Sequence, residues 1–275
     1  MVRFGLIGHP LTGSGSPALF AKAYGGRWPY DLIDCESFEK AWSRFLADYQ
    51  AVNVTAPFKR AAYERVAACG RLSEEALAVG AVNIVVKEAG AYAGDGAGGC
   101  AGSRAGGFGL AGGFGLAGYN SDFLGVREIL ASEGFRKGDV AVVAGFGGAG
   151  RAAAAAARAL GMDVTVCNRT PVPAGGGPVA GGAPSASTRP LSELPILAGI
   201  ADVLIYTLPL EVPEAAELLA TAEKGGRVPV VLEANYHSPC MEGAAERYIS
   251  GKRWLLEQAR AGYQLMTGEN CLCSD

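Results

Sequence analysis

Histidine is nearly absent from the sequence, which carries only His9 and His237. That excludes a His-rich metal centre and leaves a Ser-His-Asp hydrolase few candidates. No apolar run approaches the roughly 18 residues that would mark a membrane-spanning helix. An excess of charge of one sign is lacking too: 24 Lys+Arg stand against 27 Asp+Glu, a net of −3. With no basic tract, nothing has the electrostatic footprint of a nucleic-acid partner. The opening MVRFGLIGHP is interrupted by Gly-His-Pro too early for a signal peptide. The seven cysteines are odd in number and scattered. They read as reduced thiols of a cytoplasmic protein. The terminal Cys271-x-Cys273 has no second pair at metal spacing and reads as a frayed tail.

What is plentiful is apolar material, 49% against 19% charged residues, enough for a sizeable core in one large or two ordinary domains. Glycine is also plentiful, with 41 residues. It concentrates in 90–118, where GGFGLA occurs in tandem at 106–111 and 112–117. This insertion reads as a mobile loop or an extended hairpin, since ordering so much glycine costs backbone entropy. A second stretch rich in Gly and Pro, 171–190, lacks helical periodicity.

Elsewhere short apolar runs alternate with helical periodicity. RFGLIG, WPYDLIDC, AVNVT and AVNIVV read as strands, separated by helices over 16–24, 37–47 and 60–68. Ser16 is expected as an N-cap with Pro17 at the first helical position. An amphipathic helix over 122–133 leads into VAVVAGFG, an Ala-rich helix, then VTVCN, ADVLIYTL and VPVVLEA as strands, and a last helix over about 252–267. The pattern predicts an α/β protein with mostly parallel sheets in two domains. One is a discontinuous α/β domain of 1–121 plus 238–275. The other is a Rossmann-type dinucleotide domain of 122–237.

The dinucleotide expectation rests on VAVVAGFGGAGRAAAA. Gly145, Gly147 and Gly150 satisfy G-x-G-x-x-G directly after an apolar strand and directly before a helix. The first allows a tight turn, the second a close approach of backbone N–H groups to a pyrophosphate, the third close helix–strand packing. Gly148 and Ala149 complete the loop at a helix N-terminus, where partial positive charge favours phosphate. The next strand ends in Asn168-Arg169-Thr170, without the acidic residue usual for a free ribose 2′-hydroxyl. Arg169 suits a 2′-phosphate, which points to NADP. The next basic residue is Arg189.

AVNVTAPFKR ends a strand in a turn containing proline, so Asn53, Thr55 and Lys59 emerge at a carboxyl edge, where ligand sites gather. Lys59 is open to three readings: phosphate binder, surface charge or proton carrier. Asp122, in GYNSDFLG, is the candidate carboxylate partner, and Asn83 closes a buried strand.

In their order, these blocks resemble the shikimate dehydrogenase family. GHPLTGSGSP is similar to its first substrate motif, and NVTAPFK to its Asn-Val-Thr-x-Pro-x-Lys motif. GAVN and GYNSD resemble the blocks that follow, and GFGGAGRA with NRT its cofactor loop and 2′-phosphate clamp. ANYHSP and LLEQARAGYQLMTG resemble its Tyr-x-Pro segment and Gln-Ala helix. The resemblance implies reversible, NADPH-dependent reduction of 3-dehydroshikimate to shikimate, without a metal. It assigns Ser14 and Ser16 to the substrate carboxylate, Thr55, Asn83 and Gln258 to the ring hydroxyls, and Tyr236 to a contact near the carboxylate. Lys59 and Asp122 become the catalytic dyad. Cofactor contacts fall to Gly145, Gly147, Gly148, Ala149, Gly150, Asn168, Arg169 and Thr170. A monomer or homodimer is expected.

Several positions depart from the family pattern. Gly13 stands where His is common, Ile84 and Ser121 where Thr is common, Glu233 for Asp and Met266 for Trp, and YTLPL replaces an Asn-Ala/Thr-Thr turn. A second basic residue a few positions after Arg169 is missing. Two alternatives therefore stay open: an NAD-preferring quinate/shikimate dehydrogenase, and a non-catalytic shikimate- or nucleotide-sensing module on the same fold.

Overall fold

The computed structural model describes residues 1–89, 114–171, 188–209, 211–223, 229–243 and 247–271. The chain divides into two compact units, Met1–Ser121 with Arg260–Asp275, and Asp122–Ala259.

The first unit runs β1 (Phe4–Gly8), α1 (Ser16–Tyr24), β2 (Tyr30–Asp34), α2 (Phe38–Asp48), β3 (Ala51–Val54), α3 (Lys59–Cys69), β4 (Arg71–Leu72), α4 (Glu74–Val79), β5 (Ile84–Ala89) and β6 (Phe114–Tyr119). Its sheet has the order β2-β1-β3-β5-β6-β4. β1 is parallel to both neighbours, whereas β5 is antiparallel to β3 and to β6. β4 is parallel to β6, so three of the five pairs are parallel and the sheet is mostly parallel, with β5 alone reversed against both its neighbours. β6 begins inside the Gly-rich stretch. Phe114–Ala117 of the second GGFGLA copy pair with Val86–Ala89, and the rest of the insertion, 90–113, lies outside the described residues. In α2, Ala41, Trp42 and Phe45 recur at helical spacing and are buried, and Ser37 caps the helix by accepting from the Lys40 amide. They join Ile7, Ile33, Val52, Val54, Val66, Val85 and Leu116 in one core. Each large side chain so buried contributes about 1.5–3 kcal/mol. The N-cap of α1 is Gly15, not Ser16. The Ser16 hydroxyl is engaged in a side-chain network described below.

The second unit opens with α5 (Ser121–Ser132), whose first residue belongs to the first unit. It continues through β7 (Val140–Ala144), α6 (Gly148–Ala159), β8 (Asp163–Asn168), β9 (Arg189–Pro190), α7 (Leu194–Ala198), β10 (Val203–Tyr206), α8 (Pro213–Glu223), β11 (Val230–Glu233) and β12 (Tyr248–Ile249). It ends in the first half of α9 (Gly251–Thr267). Every pair in the sheet β12-β11-β10-β7-β8-β9 is parallel. Parallel neighbours require crossovers. α7 and α8 supply them between strands that the sequence pattern reads as consecutive. The second unit runs on to Ala259 rather than stopping at residue 237, and β12 adds an edge strand beside β11. The order reverses between β7 and β10, the switch point where doubly wound sheets bind ligands. No helix among the described residues is long and apolar enough to cross a membrane.

Candidate active site

The first unit gathers hydroxyl and amide groups at the carboxyl ends of β1 and β3. Gly8 permits this close approach, since a methyl there would lie 2.4 Å from Thr55 Cγ2. The Thr55 amide donates to the Ile7 carbonyl (2.9 Å), and the Thr55 carbonyl accepts from Phe58 (2.9 Å), closing the turn that starts α3 at Lys59. Val82 N–H donates to the Lys59 carbonyl and Val54 N–H to that of Asn83, which tie β3, α3 and the start of β5 together. Asn83 is 4% exposed, and its Oδ1 accepts from the Ser121 amide at 2.7 Å, capping α5. That leaves the amide nitrogen as the group of Asn83 available to a ligand.

Ser14 Oγ donates to Ser16 Oγ at 3.3 Å. Tyr30 OH donates to Asn53 Oδ1 at 2.8 Å, and Tyr263 OH reaches the Ser16 carbonyl at 3.4 Å. Burial holds the Tyr30 phenol well above its ordinary range, nearby Tyr263 adds to this, and a hydrogen bond from Ser16 opposes it. The serines thus lie beside the half-buried Tyr30 phenol. Tyr30 and Tyr263 carried no signal that set them apart from other core aromatics, although both pack on Phe20.

In the second unit, Gly145 has φ +100°, and a methyl on it would lie 2.6 Å from Thr207 Oγ1. A methyl on Gly150 would lie 2.1 Å from the Gly145 carbonyl oxygen. Gly147 and Gly148 face open space, and the N-cap of α6, Gly147, has no side-chain cap. The loop is thus a cradle lined by backbone with uncapped amides at a helix start, a donor set that fits a pyrophosphate. Asn168 Nδ2 donates to the Thr170 carbonyl (2.9 Å), fixing the turn that carries Arg169, which is exposed.

A pocket of about 130 Å³ in this unit is lined by Asp122, Ala149, Ala234, Tyr236, Gly251, Trp254, Leu255 and Gln258. It joins three expected substrate or catalytic residues with Ala149 of the glycine loop. Gly125 lets α5 approach α9, since a methyl there would meet the Gln258 amide at 2.7 Å. The loop carrying Tyr236 is anchored by Glu233, which is 0% exposed. Glu233 accepts from the Cys240 and Met241 amides (2.9 and 3.2 Å) and from Tyr248 OH (2.8 Å). Asn235 Oδ1 accepts from His237 and Ser238, and the exposed His237 ring stacks on Tyr236, centroids 4.1 Å apart. Of the expected site residues, then, Ser14, Ser16, Thr55, Lys59 and Asn83 belong to the first unit. Asp122, Tyr236, Gln258 and the cofactor residues belong to the second.

Residues 6–85 match the shikimate dehydrogenase substrate binding domain. A shikimate dehydrogenase (NADP(+)) of Thermus thermophilus is 30% identical over 282 residues, covering 98% of this chain and 87% of that protein. The chain belongs to the shikimate dehydrogenase family. Solved structures agree with this. The shikimate 5-dehydrogenase of Thermus thermophilus in complex with NADP(H) and shikimate superposes with a TM-score of 0.69 at 26% identity, covering 98% of this chain and 95% of that one. Shikimate dehydrogenase of Mycobacterium tuberculosis gives 0.71 at 27% identity, covering 99% and 95%.

Proposed function

We propose that the chain is an NADP-dependent shikimate dehydrogenase, reducing 3-dehydroshikimate reversibly to shikimate. The observation that carries this reading is the pocket in which Asp122, Tyr236 and Gln258 meet Ala149 of the glycine loop. It brings a carboxyl, a phenol and an amide beside the glycine loop, which supports this reading. Shikimate is also a ligand named for the Thermus relative. When bound, the nicotinamide supplies the hydride.

The chain's own residues do the rest. Gly147, Gly148 and the first turn of α6 hold the pyrophosphate through backbone N–H groups. Ser14 and Ser16 turn their hydroxyl protons to the substrate carboxylate. Thr55, Asn83 and Gln258 bond the ring hydroxyls. As alkoxide charge develops on the carbonyl oxygen, the Lys59 ammonium stabilises it and donates a proton there, while the Asp122 carboxylate orients Lys59 and bonds the adjacent hydroxyl. In the reverse direction Lys59 takes the proton back. The enzyme is assigned to the cytoplasm as a monomer or homodimer. Cys35, Cys167 and Cys240, free thiols among the described residues, support that compartment.

Lys59→Ala tests the dyad. Turnover is expected to fall by about 10²–10⁴-fold with NADPH affinity retained. Wild-type turnover in this variant would remove Lys59 from the mechanism.

A further inference from the structure

The cofactor reading above leaves one chemical gap. A 2′-phosphate carries close to two negative charges, yet Arg169 is followed in sequence by Thr-Pro-Val-Pro and a run of glycines, with no second cation nearby. The fold supplies one from a distance. β9 lies beside β8 in parallel register, Cys167 opposite Arg189 and Asn168 opposite Pro190. Adjacent strands are about 4.8 Å apart. Arg189, remote in sequence, therefore stands one strand spacing from the end of β8, at the same carboxyl edge from which Asn168, Arg169 and Thr170 emerge.

The side chain itself faces outward. Arg189 shares a sheet face with Cys167, its register partner, but Cys167 is buried whereas the Arg189 side chain is 59% exposed. Its one ion pair among the described residues is with Glu193, Nε to Oε2 at 2.7 Å, an exposed i,i+4 contact. Pairs of this kind add little to stability, so folding alone gives weak reason for an arginine here. A guanidinium carries five donors in a fixed fork, and the contact to Glu193 uses Nε. Among the described residues the terminal nitrogens have no hydrogen bond or ion pair, which suits them to a second anion.

We propose that Arg189 is the second cation of the adenosine 2′-phosphate site, acting with Arg169 to select NADP over NAD. This rests on the dinucleotide reading of the second unit. Glu193 is its counter-charge in the absence of nucleotide, and a negative group so placed weakens the attraction for a phosphate. Arg189 thereby takes the place of the basic residue missing just after Arg169.

The test uses the full-length protein and calorimetric titration with adenosine 2′,5′-bisphosphate and, as the control lacking the 2′-phosphate, adenosine 5′-monophosphate. Arg189→Gln is expected to weaken the bisphosphate by about tenfold or more and to leave the monophosphate within about twofold, a control that also reports an intact fold. Glu193→Gln removes the competing charge and is expected to tighten the bisphosphate. Unchanged preference for the bisphosphate in Arg189→Gln, or weaker bisphosphate binding in Glu193→Gln, overturns the assignment of Arg189 alone. Failure of the wild-type protein to bind either nucleotide would instead overturn the dinucleotide reading itself.

Discussion

The glycine loop makes a prediction that separates packing from ligand binding. Substituting Gly150 by Ala places a methyl group 2.1 Å from the Gly145 carbonyl oxygen, 2.9 Å from the Gly145 carbonyl carbon and 3.0 Å from Thr207 Oγ1. Two of these are backbone atoms, so no rotamer change relieves the clash. Ordinary contact begins near 3.4 Å, so α6 must retreat from the end of β7 by more than an ångström. Overpacking of this kind costs about 1–3 kcal/mol. In a chain of this size each kcal/mol lowers Tm by about 2–4 °C. Gly150→Ala is expected to lose several degrees in a thermal melt without nucleotide. Gly148→Ala is the contrast. Nothing lies within 4 Å of its added methyl, so Tm is expected to hold or rise slightly. NADPH affinity should nevertheless fall, because the methyl occupies the approach to the first amides of α6. If Gly150→Ala melts with the wild type, or Gly148→Ala melts as early as Gly150→Ala, the account of the third glycine as a packing requirement is wrong.

Two further outcomes are expected. Tyr30→Phe removes the donor to Asn53 and the acceptor for Ser16. It should cost about 1–3 kcal/mol in urea unfolding, and a variant as stable as wild type would show that the phenol does not organise the serines. Glu133 accepts from Arg253 and Arg247, and those guanidinium groups hold its carboxyl below the usual range. A carboxyl lowered in the folded state stabilises above the unfolded carboxylate range, near pH 4.3, and loses that contribution as pH falls through its folded value. The stability gap between wild type and Glu133→Gln should therefore be about 0–1 kcal/mol at pH 7 and narrow as pH falls below the unfolded carboxylate range, and a gap that stays constant as pH falls through that range would refute the pairing.

Much of this architecture was legible in the chain because local patterns act alone. β1, β3 and β7 are apolar runs stopped by Gly or Pro, and α2 shows its buried stripe at Trp42 and Phe45 without any tertiary information. What was not legible depended on partners distant in sequence. β9 is two residues long and exists through its pairing with β8, while β12 exists through its pairing with β11. Neither has a period to detect. α7 has five residues, with Pro195 at its start, and offers too few turns for a helical stripe. The N-cap expectation at Ser16 failed for a related reason. A serine ahead of a proline is a good local cap, but its hydroxyl is engaged by Ser14 and by Tyr30, which comes from the next strand. At the candidate site, motif residues were readable because their types are chemically distinctive. The residues that hold them in place, Tyr30, Tyr263 and Gly125, look like any core aromatic or helix glycine until the chain is folded.

Glu233 shows how one such supporting residue works. A wholly buried carboxylate is tolerable only when hydrogen bonds satisfy its oxygens, and here two amides and a phenol do so. Burial, together with the negative charge of Glu233, pushes the Cys240 thiol up to about 11 and raises Tyr248 further above its ordinary range. Both neighbours therefore keep their protons at neutral pH. The thiol is a protonated donor, 3.5 Å from Glu233 Oε1, rather than a reactive thiolate. The amides that Glu233 binds are at positions 240 and 241, so the chain leaving β11 must return to it within a few residues. Asn235 sets the turn in between, and Tyr236 is the side chain this short loop delivers to the pocket. A buried acid at the end of β11 thus makes its contribution through where it sends the next three residues.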